Sequence, residues 1–258
     1  RVCVKPCETG CNRNHIDTTV SIHAVERFIG DKAIEENWQP KLNITPTHKR
    51  VLVVGSGPAG LSAAWHLALK GHTVDIAEAR SKPGGLLDFG IPAYRLPRNI
   101  LDAEINRIKA IGVNIRCNHE VNDLLVEKES GKYDAVFLGI GAHIGKTEPM
   151  QVDKSIPVID AYDFLKKNHE GTPVAIGKKT IIYGGGKLAM YLSRVIKRLW
   201  SEPLLLYPGD RKLMPAYDFE ADDAIAEGVD IRFLRSIHSI EHKQCKIEIM
   251  QVEKNKLV

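Results

Sequence analysis

Cysteine is scarce in this chain. There are five among 258 residues, and three of them, Cys3, Cys7 and Cys11, crowd into the first eleven positions. A disulfide scaffold needs more cysteines in a smaller chain, so that class is excluded and a reducing, cytoplasmic setting is expected. The isolated Cys117 and Cys245 are expected to fill strand positions. There is no basic run and no aromatic–basic stripe, and the formal net charge is only +4, which excludes nucleic acid as a partner. No secretory leader is visible, and the chain opens on Arg1 rather than Met, so residue 1 is not expected to be the biological start. Residues 51–69 lack Lys, Arg, Asp and Glu, but three glycines and a proline interrupt that run. It therefore reads as strand, turn and helix, and no membrane span is expected. No Ser-His-Asp or paired-carboxylate constellation stands out, so catalytic residues are unassigned.

A hydrophobic fraction of 43% is ordinary for a chain that buries a core, and the length suits two modest domains. The most informative segment is Val51-Leu-Val-Val-Gly55-Ser-Gly57-Pro-Ala-Gly60-Leu-Ser-Ala-Ala-Trp65. Four apolar residues read as a buried parallel strand. The glycines then permit a tight turn, close approach of a pyrophosphate, and packing of a helix on the strand. The helix start offers unpaired N–H groups and a positive dipole end to phosphates. Glu78 follows a second strand, Thr73–Ala77, at the offset of a carboxylate that holds ribose hydroxyls. A carboxylate there would repel a 2′-phosphate, so FAD or NAD is expected at this turn.

A helix is predicted with Ile22, Val25, Phe28 and Ile29 on one face, followed by an extended linker over 39–48. Another helix is expected over 98–111 with Gly112 at its C-cap, then strands at 113–116 and 135–140, with a charged turn at 128–132. Asp160 is placed to cap a helix running to Asn168. A second nucleotide-binding pattern begins at Thr180-Ile-Ile-Tyr183 and Gly184-Gly-Gly186-Lys-Leu-Ala189. Its helix would present Leu188, Leu192, Val195, Ile196 and Leu199 on one face. Strands at 203–207, 230–234 and 246–252 and a helix at 218–227 follow. The fold class is α/β: two Rossmann-like units preceded by a short helical cysteine-rich segment. The expected domains are 1–48, 49–150 and 151–258.

Several strings together resemble the glutamate synthase small-subunit family. This family also includes the flavoprotein module of dihydropyrimidine dehydrogenase and of bifurcating ferredoxin:NADP oxidoreductases. The strings are Arg1-Val-Cys3 with Cys7-Glu-Thr-Gly-Cys11, Ala24-Val-Glu26-Arg-Phe28, Gly55 to Gly60, Pro83-Gly-Gly-Leu86, Gly90-Ile-Pro-Ala-Tyr-Arg-Leu-Pro97 and Phe137-Leu-Gly-Ile-Gly-Ala142. The Gly90–Pro97 string is the most diagnostic. The resemblance implies that the first unit binds FAD, with Gly55, Gly57, Pro58, Ala59 and Gly60 at the pyrophosphate and Glu78 at the ribose. It places Gly85, Leu86, Arg95, Gly141 and Ala142 along the flavin side, where the Arg95 guanidinium would stabilise negative charge on a reduced flavin. Tyr94 and His143 are read as packing residues. It further implies a 4Fe-4S cluster with Cys3, Cys7 and Cys11 as ligands and Glu26 at the position of a non-cysteine ligand. A zinc site is a weaker reading, with only His15 and His23 nearby.

The second unit should bind NADH or NADPH through Gly184, Gly186, Lys187 and Ala189, but it departs from the family. Lys187-Leu188 replace Asn-Thr, Tyr191 replaces an Asp, and Pro208-Gly209-Asp210 follow Tyr207 where two arginines are usual. The family's returning FAD-domain segment has no counterpart before Val258. The expected function is a flavin and iron–sulfur electron-transfer subunit, an NAD(P)H-dependent oxidoreductase or part of one, joined to a redox partner or larger complex. The alternatives are a non-catalytic relay or scaffold with a degenerate NAD(P)H site, and a simple NAD-binding dehydrogenase domain, against which the Cys3–Cys11 and Gly90–Pro97 strings argue.

Overall fold

The computed structural model describes residues 1–40, 43–142, 144–145, 151–153, 155–241, 244–253 and 256–257. The chain divides into two compact units, Arg1–Ala142 and His143–Val258.

The first unit opens with α1 (Pro6–Thr9), a 3-10 turn (Asn12–His15) and α2 (Ile22–Glu35). The predicted helix at Ile22 forms, but its apolar face is not sequestered: Val25, Phe28 and Ile29 are exposed, and only Ala33 is buried. Next come β1 (Arg50–Val54), α3 (Pro58–Leu69), β2 (Thr73–Ala77), α4 (Leu86–Phe89) and α5 (Arg98–Ala110). The unit ends with β3 (Asn114–Arg116), α6 (Leu124–Ser130) and β4 (Ala135–Leu138). The strands form a parallel sheet in the order β3-β2-β1-β4, as in one half of a doubly wound dinucleotide fold.

Strand alternation sends Val53, Val74 and Ile76 to one face, where α3 and α5 cover them with Leu61, Ala64, Leu101 and Ile105. Leu52, Val54 and Ala77 point to the other face with Tyr133. The expected charged turn at 128–132 is corrected. Asp123 accepts hydrogen bonds from the N–H groups of Leu125 and Val126, so α6 continues to Ser130 and only Gly131 and Lys132 turn.

The second unit contains β5 (Gln151–Val152), α7 (Ala161–His169), β6 (Lys179–Tyr183), α8 (Lys187–Arg198), β7 (Glu202–Tyr207), α9 (Asp218–Ala226) and β8 (Asp230–Phe233). Two further strands, β9 (Arg235–Glu241) and β10 (Gln244–Ile249), follow. Strands β6, β7 and β8 form a parallel sheet, whereas β9 pairs antiparallel with β10 and parallel with β5. Asp160 caps α7 as expected, accepting from the N–H groups of Tyr162 and Asp163. Helix α8 buries Ala189, Met190, Leu192 and Ile196 against Ile182 and Leu205, while Leu199 stays partly exposed beyond its end. Sequence reading missed β9. Its serines and His238 interrupt the apolar alternation that marks a strand.

One polar network joins strands of the first sheet. The Asp75 carboxylate accepts from Arg50 (2.9 Å), Asn114 (2.8 Å) and Tyr133 (3.1 Å), and the Arg50 guanidinium lies 4.9 Å from the Tyr133 ring centre. Burial alone would raise the Asp75 pKa, but these donors outweigh it and hold the carboxyl below its ordinary value. Its stabilising contribution is therefore present above the ordinary aspartate pKa of about 3.9 and is lost as pH falls through the depressed folded value. Asp75→Ala is expected to lower the unfolding free energy by about 1–3 kcal/mol at neutral pH. Denaturant titrations of both proteins from pH 7 down to pH 3 check this. The gap between wild type and variant should narrow at the acid end, and a constant gap would contradict the assignment.

Candidate functional site

In the first unit β1 runs into the glycine turn and α3 leaves it. Gly55 has φ +96°, and its N–H donates to the Ala77 carbonyl at 2.8 Å, which seats the turn on the end of β2. A Cβ at Gly60 would lie 1.9 Å from the Gly55 carbonyl oxygen and 3.2 Å from a Val53 methyl. Helix α3 therefore rests backbone-on-backbone against β1, as only glycine allows. Gly57 is the N-cap of α3, no side chain caps the helix, Pro58 begins it, and a Cβ at Gly57 would meet nothing within 4 Å. The helix thus presents unpaired N–H groups to open space, which is the donor set of an anion site.

Glu78 is only 6% exposed. One carboxylate oxygen accepts from the Ser56 N–H at 2.9 Å and from the Ser56 hydroxyl, and the other accepts from the Arg80 N–H at 2.9 Å. Ser56, fully buried, also receives the Gly84 N–H at its carbonyl (3.0 Å) and hydroxyl (3.3 Å). A single serine thereby ties together the turn, the end of β2 and the Gly84-Gly85 loop. Sequence reading missed it, because nothing local marks a serine between two glycines as a junction. Gly85 (φ +55°) begins α4 at Leu86, close enough that its Cβ would fall 2.9 Å from Gly57 Cα.

The diagnostic Gly90–Pro97 string has a physical reading. Arg98 donates to the carbonyls of Leu87 (3.1 Å), Ile91 (2.8 Å) and Leu96 (3.0 Å) and pairs with Asp88 at 3.6 Å, stitching this irregular stretch into one conformation. The Arg80 guanidinium lies 4.0 Å from the centre of the Phe89 ring. Arg95 is half-buried, and its charge is one of those that, after burial, hold the Arg1 ammonium below its ordinary pKa. Gly141 has φ +72° and, with Ala142, is exposed beyond β4; Tyr94 is partly exposed and His143 lies outside the described residues.

The four predicted metal ligands are not brought together. Cys3, Cys7 and Glu26 are exposed and Cys11 is half-buried, and among the described residues no group of three or more His, Cys, Asp or Glu is placed to hold a metal ion. The donor chemistry at Cys11 does suit a thiolate: the backbone at Val20, Arg13 and Asn14 and the Thr19 hydroxyl lower its pKa. Cys3 sulfur accepts from the Lys5 N–H at 3.4 Å. Burial raises Cys117, reinforced by the Glu78 charge, and burial raises Cys245, so these two behave as neutral filling residues.

The second turn repeats the first with different chemistry. The Gly184 N–H donates to the Leu206 carbonyl at 3.0 Å, so Leu206 stands where Ala77 does, Tyr207 where Glu78 does, and Gly185 where Ser56 does. Gly184 has φ +133°, Gly186 caps α8 without a side chain, and a Cβ at either would meet nothing within 4 Å. A Cβ at Gly185 would lie 2.6 Å from the Tyr207 ring, which packs where the first unit has its serine–carboxylate pair. Lys187 opens α8 with its ammonium 4.3 Å from the centre of the Tyr217 ring, and Ala189 is buried in the core. Tyr191 donates to Glu220 at 3.2 Å, so the residue replacing the family's Asp serves α8–α9 packing.

Two open glycine turns, each feeding an uncapped helix from a parallel strand, agree with the comparison to known families. Residues 49–258 match the model of the pyridine nucleotide-disulphide oxidoreductases. The chain belongs to that family. It is 39% identical over 243 residues to the NADPH-Fe(3+) oxidoreductase subunit beta of Geobacter sulfurreducens, covering 90% of this chain and 36% of that protein. It is 36% identical to the NAD-dependent dihydropyrimidine dehydrogenase subunit PreT of Escherichia coli, covering 77% of this chain and 49% of that one. The resemblance read from the sequence strings is thereby borne out. The chain spans between about a third and a half of the length of these curated relatives. The structure of Mycobacterium tuberculosis FprA in complex with NADPH superposes with a TM-score of 0.64 at 18% identity, covering 83% of this chain and 66% of that one, and shows the shared fold. Among the described residues no helix is long and apolar enough to cross a membrane.

The Gly60 contact generates a direct test. Gly60→Ala is expected to destabilise the first unit by about 1–3 kcal/mol, because α3 must lift off β1. Calorimetry should show a lowered Tm, whereas Gly57→Ala, which adds a methyl to open space, should cost far less.

Proposed function

We propose that this chain is the nucleotide-binding part of a flavin electron-transfer subunit, taking reducing equivalents from NAD(P)H and passing them to a protein partner within a larger cytoplasmic redox complex. The observation that carries it is the pair of glycine turns with uncapped helix starts in a chain of this family. The names of the relatives, an NADPH-Fe(3+) oxidoreductase subunit and a dihydropyrimidine dehydrogenase subunit, agree with such a role.

The residues of the first unit fit FAD. Gly55, Gly57, Pro58, Ala59 and Gly60 would hold the pyrophosphate against the start of α3. Glu78, already oriented by Ser56 and Arg80, would accept from ribose hydroxyls. Gly85, Leu86, Arg95, Gly141 and Ala142 would line the flavin side, with Arg95 contributing fixed positive charge. The chemistry a bound flavin supplies is acceptance of a hydride and release of single electrons. In the second unit Gly184, Gly186, Lys187 and Ala189 would hold the pyridine nucleotide. The open space at Gly184 and Gly186 supports a working site over the degenerate-site alternative.

A separate proposal concerns the cysteine segment. Cys3, Cys7 and Cys11, with Glu26, would serve as ligands to a 4Fe-4S cluster, although these four alone do not form a convergent set.

Anaerobic mixing of the purified flavoprotein with NADH or NADPH tests the first proposal: prompt bleaching of the flavin band is expected. Bleaching by dithionite but by neither nucleotide would instead favour the relay. Glu78→Ala should lower flavin affinity about tenfold or more, since hydrogen bonds to a charged acceptor are lost; unchanged flavin content would remove Glu78 from the site. For the cysteine segment the readout is iron: Cys3→Ala should lose it, and full retention would end that proposal.

A further inference from the structure

We propose that the second unit selects NADH over NADPH, with Tyr207, Asp210 and the Arg211–Asp222 pair as its specificity-determining residues. This rests on the reading that the unit holds a pyridine nucleotide, and it adds which one.

The two nucleotides differ only by the 2′-phosphate on the adenine ribose, and that ribose lies beside the end of the second strand of a dinucleotide unit. Here that strand is β7, and hydrogen-bond registry puts Tyr207 at the position of Glu78. A 2′-phosphate is held by cationic or N–H donors. Tyr207 offers neither, since its hydroxyl donates to the Leu213 carbonyl at 2.7 Å. Pro208 has no N–H. Gly209 has no side chain and no room for one, because a Cβ there would lie 2.7 Å from the Tyr207 ring. The Gly209 carbonyl accepts from the Leu234 N–H at 3.0 Å, which fixes the backbone of this corner.

The charges that follow favour a free hydroxyl. One oxygen of Asp210 accepts from the Leu213 N–H at 2.8 Å, and the Asp210 charge, after burial, raises the Tyr207 pKa, so this carboxylate stands beside the end of β7 as an acceptor for ribose hydroxyls. Arg211 is the nearest guanidinium in sequence, but it is already committed. It donates to Asp222 at 2.6 Å and to Asp218 at 3.4 Å, both on α9. Asp210, Asp218 and Asp222 thus set three carboxylates around this stretch, two of them paired with Arg211. A doubly charged phosphate brought here meets carboxylates and an Arg211 guanidinium that is already ion-paired, while Arg235, next to Leu234, donates to the carbonyls of Phe233 and Leu234. Lys187 does not compensate. It sits over Tyr217 at the first position of α8, on the pyrophosphate side common to both nucleotides.

The test is isothermal titration calorimetry of the intact chain with NAD⁺ and NADP⁺, the oxidised forms, so that binding is read without flavin reduction. NAD⁺ is expected to bind about tenfold or more tightly than NADP⁺, as like-charge juxtaposition predicts. Arg211→Ala should leave NADP⁺ affinity unchanged within twofold, because that guanidinium is already spent. Asp210→Asn combined with Asp222→Asn should raise NADP⁺ affinity about tenfold by releasing Arg211. Equal or tighter binding of NADP⁺ by the wild type, or loss of NADP⁺ affinity in Arg211→Ala, overturns the selectivity and leaves the proposed function standing. Binding of neither nucleotide overturns the pyridine-nucleotide reading and this inference with it.

Discussion

The contact on which the first unit depends is the one between two backbones, where the α-carbon of Gly60 sits against the carbonyl of Gly55. It brings α3 close enough to β1 that the helix can start immediately after the strand. The N-cap position falls to Gly57, which has no side chain, and no other side chain caps the first turn. Hydrophobic burial of Leu61, Ala64 and Ala68 supplies the energy that holds the helix down. The glycine contact decides where that helix points. The site is therefore a consequence of packing and not an addition to it.

The second unit shows which parts of such a turn are structural and which are chemical. Both turns keep the registry between the glycine N–H and a carbonyl of the neighbouring strand, both keep positive φ at the first glycine, and both leave the helix uncapped. The difference lies in the side chains over the middle residue. Ser56 and Glu78 form a buried polar pair in one unit, and Tyr207 packs on Gly185 in the other. The exchange is steric as well as electronic: an aromatic ring at Tyr207 fits because Gly185 has no Cβ. The two positions differ together between the units, and the backbone is preserved while the charge beside the turn changes.

The glycine turns, their helices and the Asp160 cap were legible in the sequence because each depends on constraints within a few residues: a tight turn, a buried strand, an Asx oxygen near two N–H groups. Helix α6 was obscured because its charges suggested a turn, while the Asp123 cap that favours a helix was overlooked. Strand β9 was hidden by serines and His238, whose place is set by pairing with β5 and β10 rather than by their own preference. Ser56 and Arg98 could not be recognised for the same reason. Ser56 bonds to Glu78 and Gly84, which only the fold brings to it, and Arg98 bonds to the carbonyls of an irregular stretch that no periodic pattern marks.

The cysteine segment obeys a different physics from the rest of the first unit. Residues 1–40 bury only Ala33, so no core of their own holds Cys3, Cys7 and Cys11 at fixed separations. A core can preorganise ligands only where apolar burial exceeds the conformational entropy of ordering the chain, and a stretch with Val25, Phe28 and Ile29 exposed does not meet that condition alone. In such segments the free energy of metal binding is itself folding free energy. Under the proposal that a 4Fe-4S cluster binds here, the cluster itself would impose the geometry of the three thiols. The backbone at Val20, Arg13 and Asn14 and the Thr19 hydroxyl already lower the Cys11 pKa without any ligand.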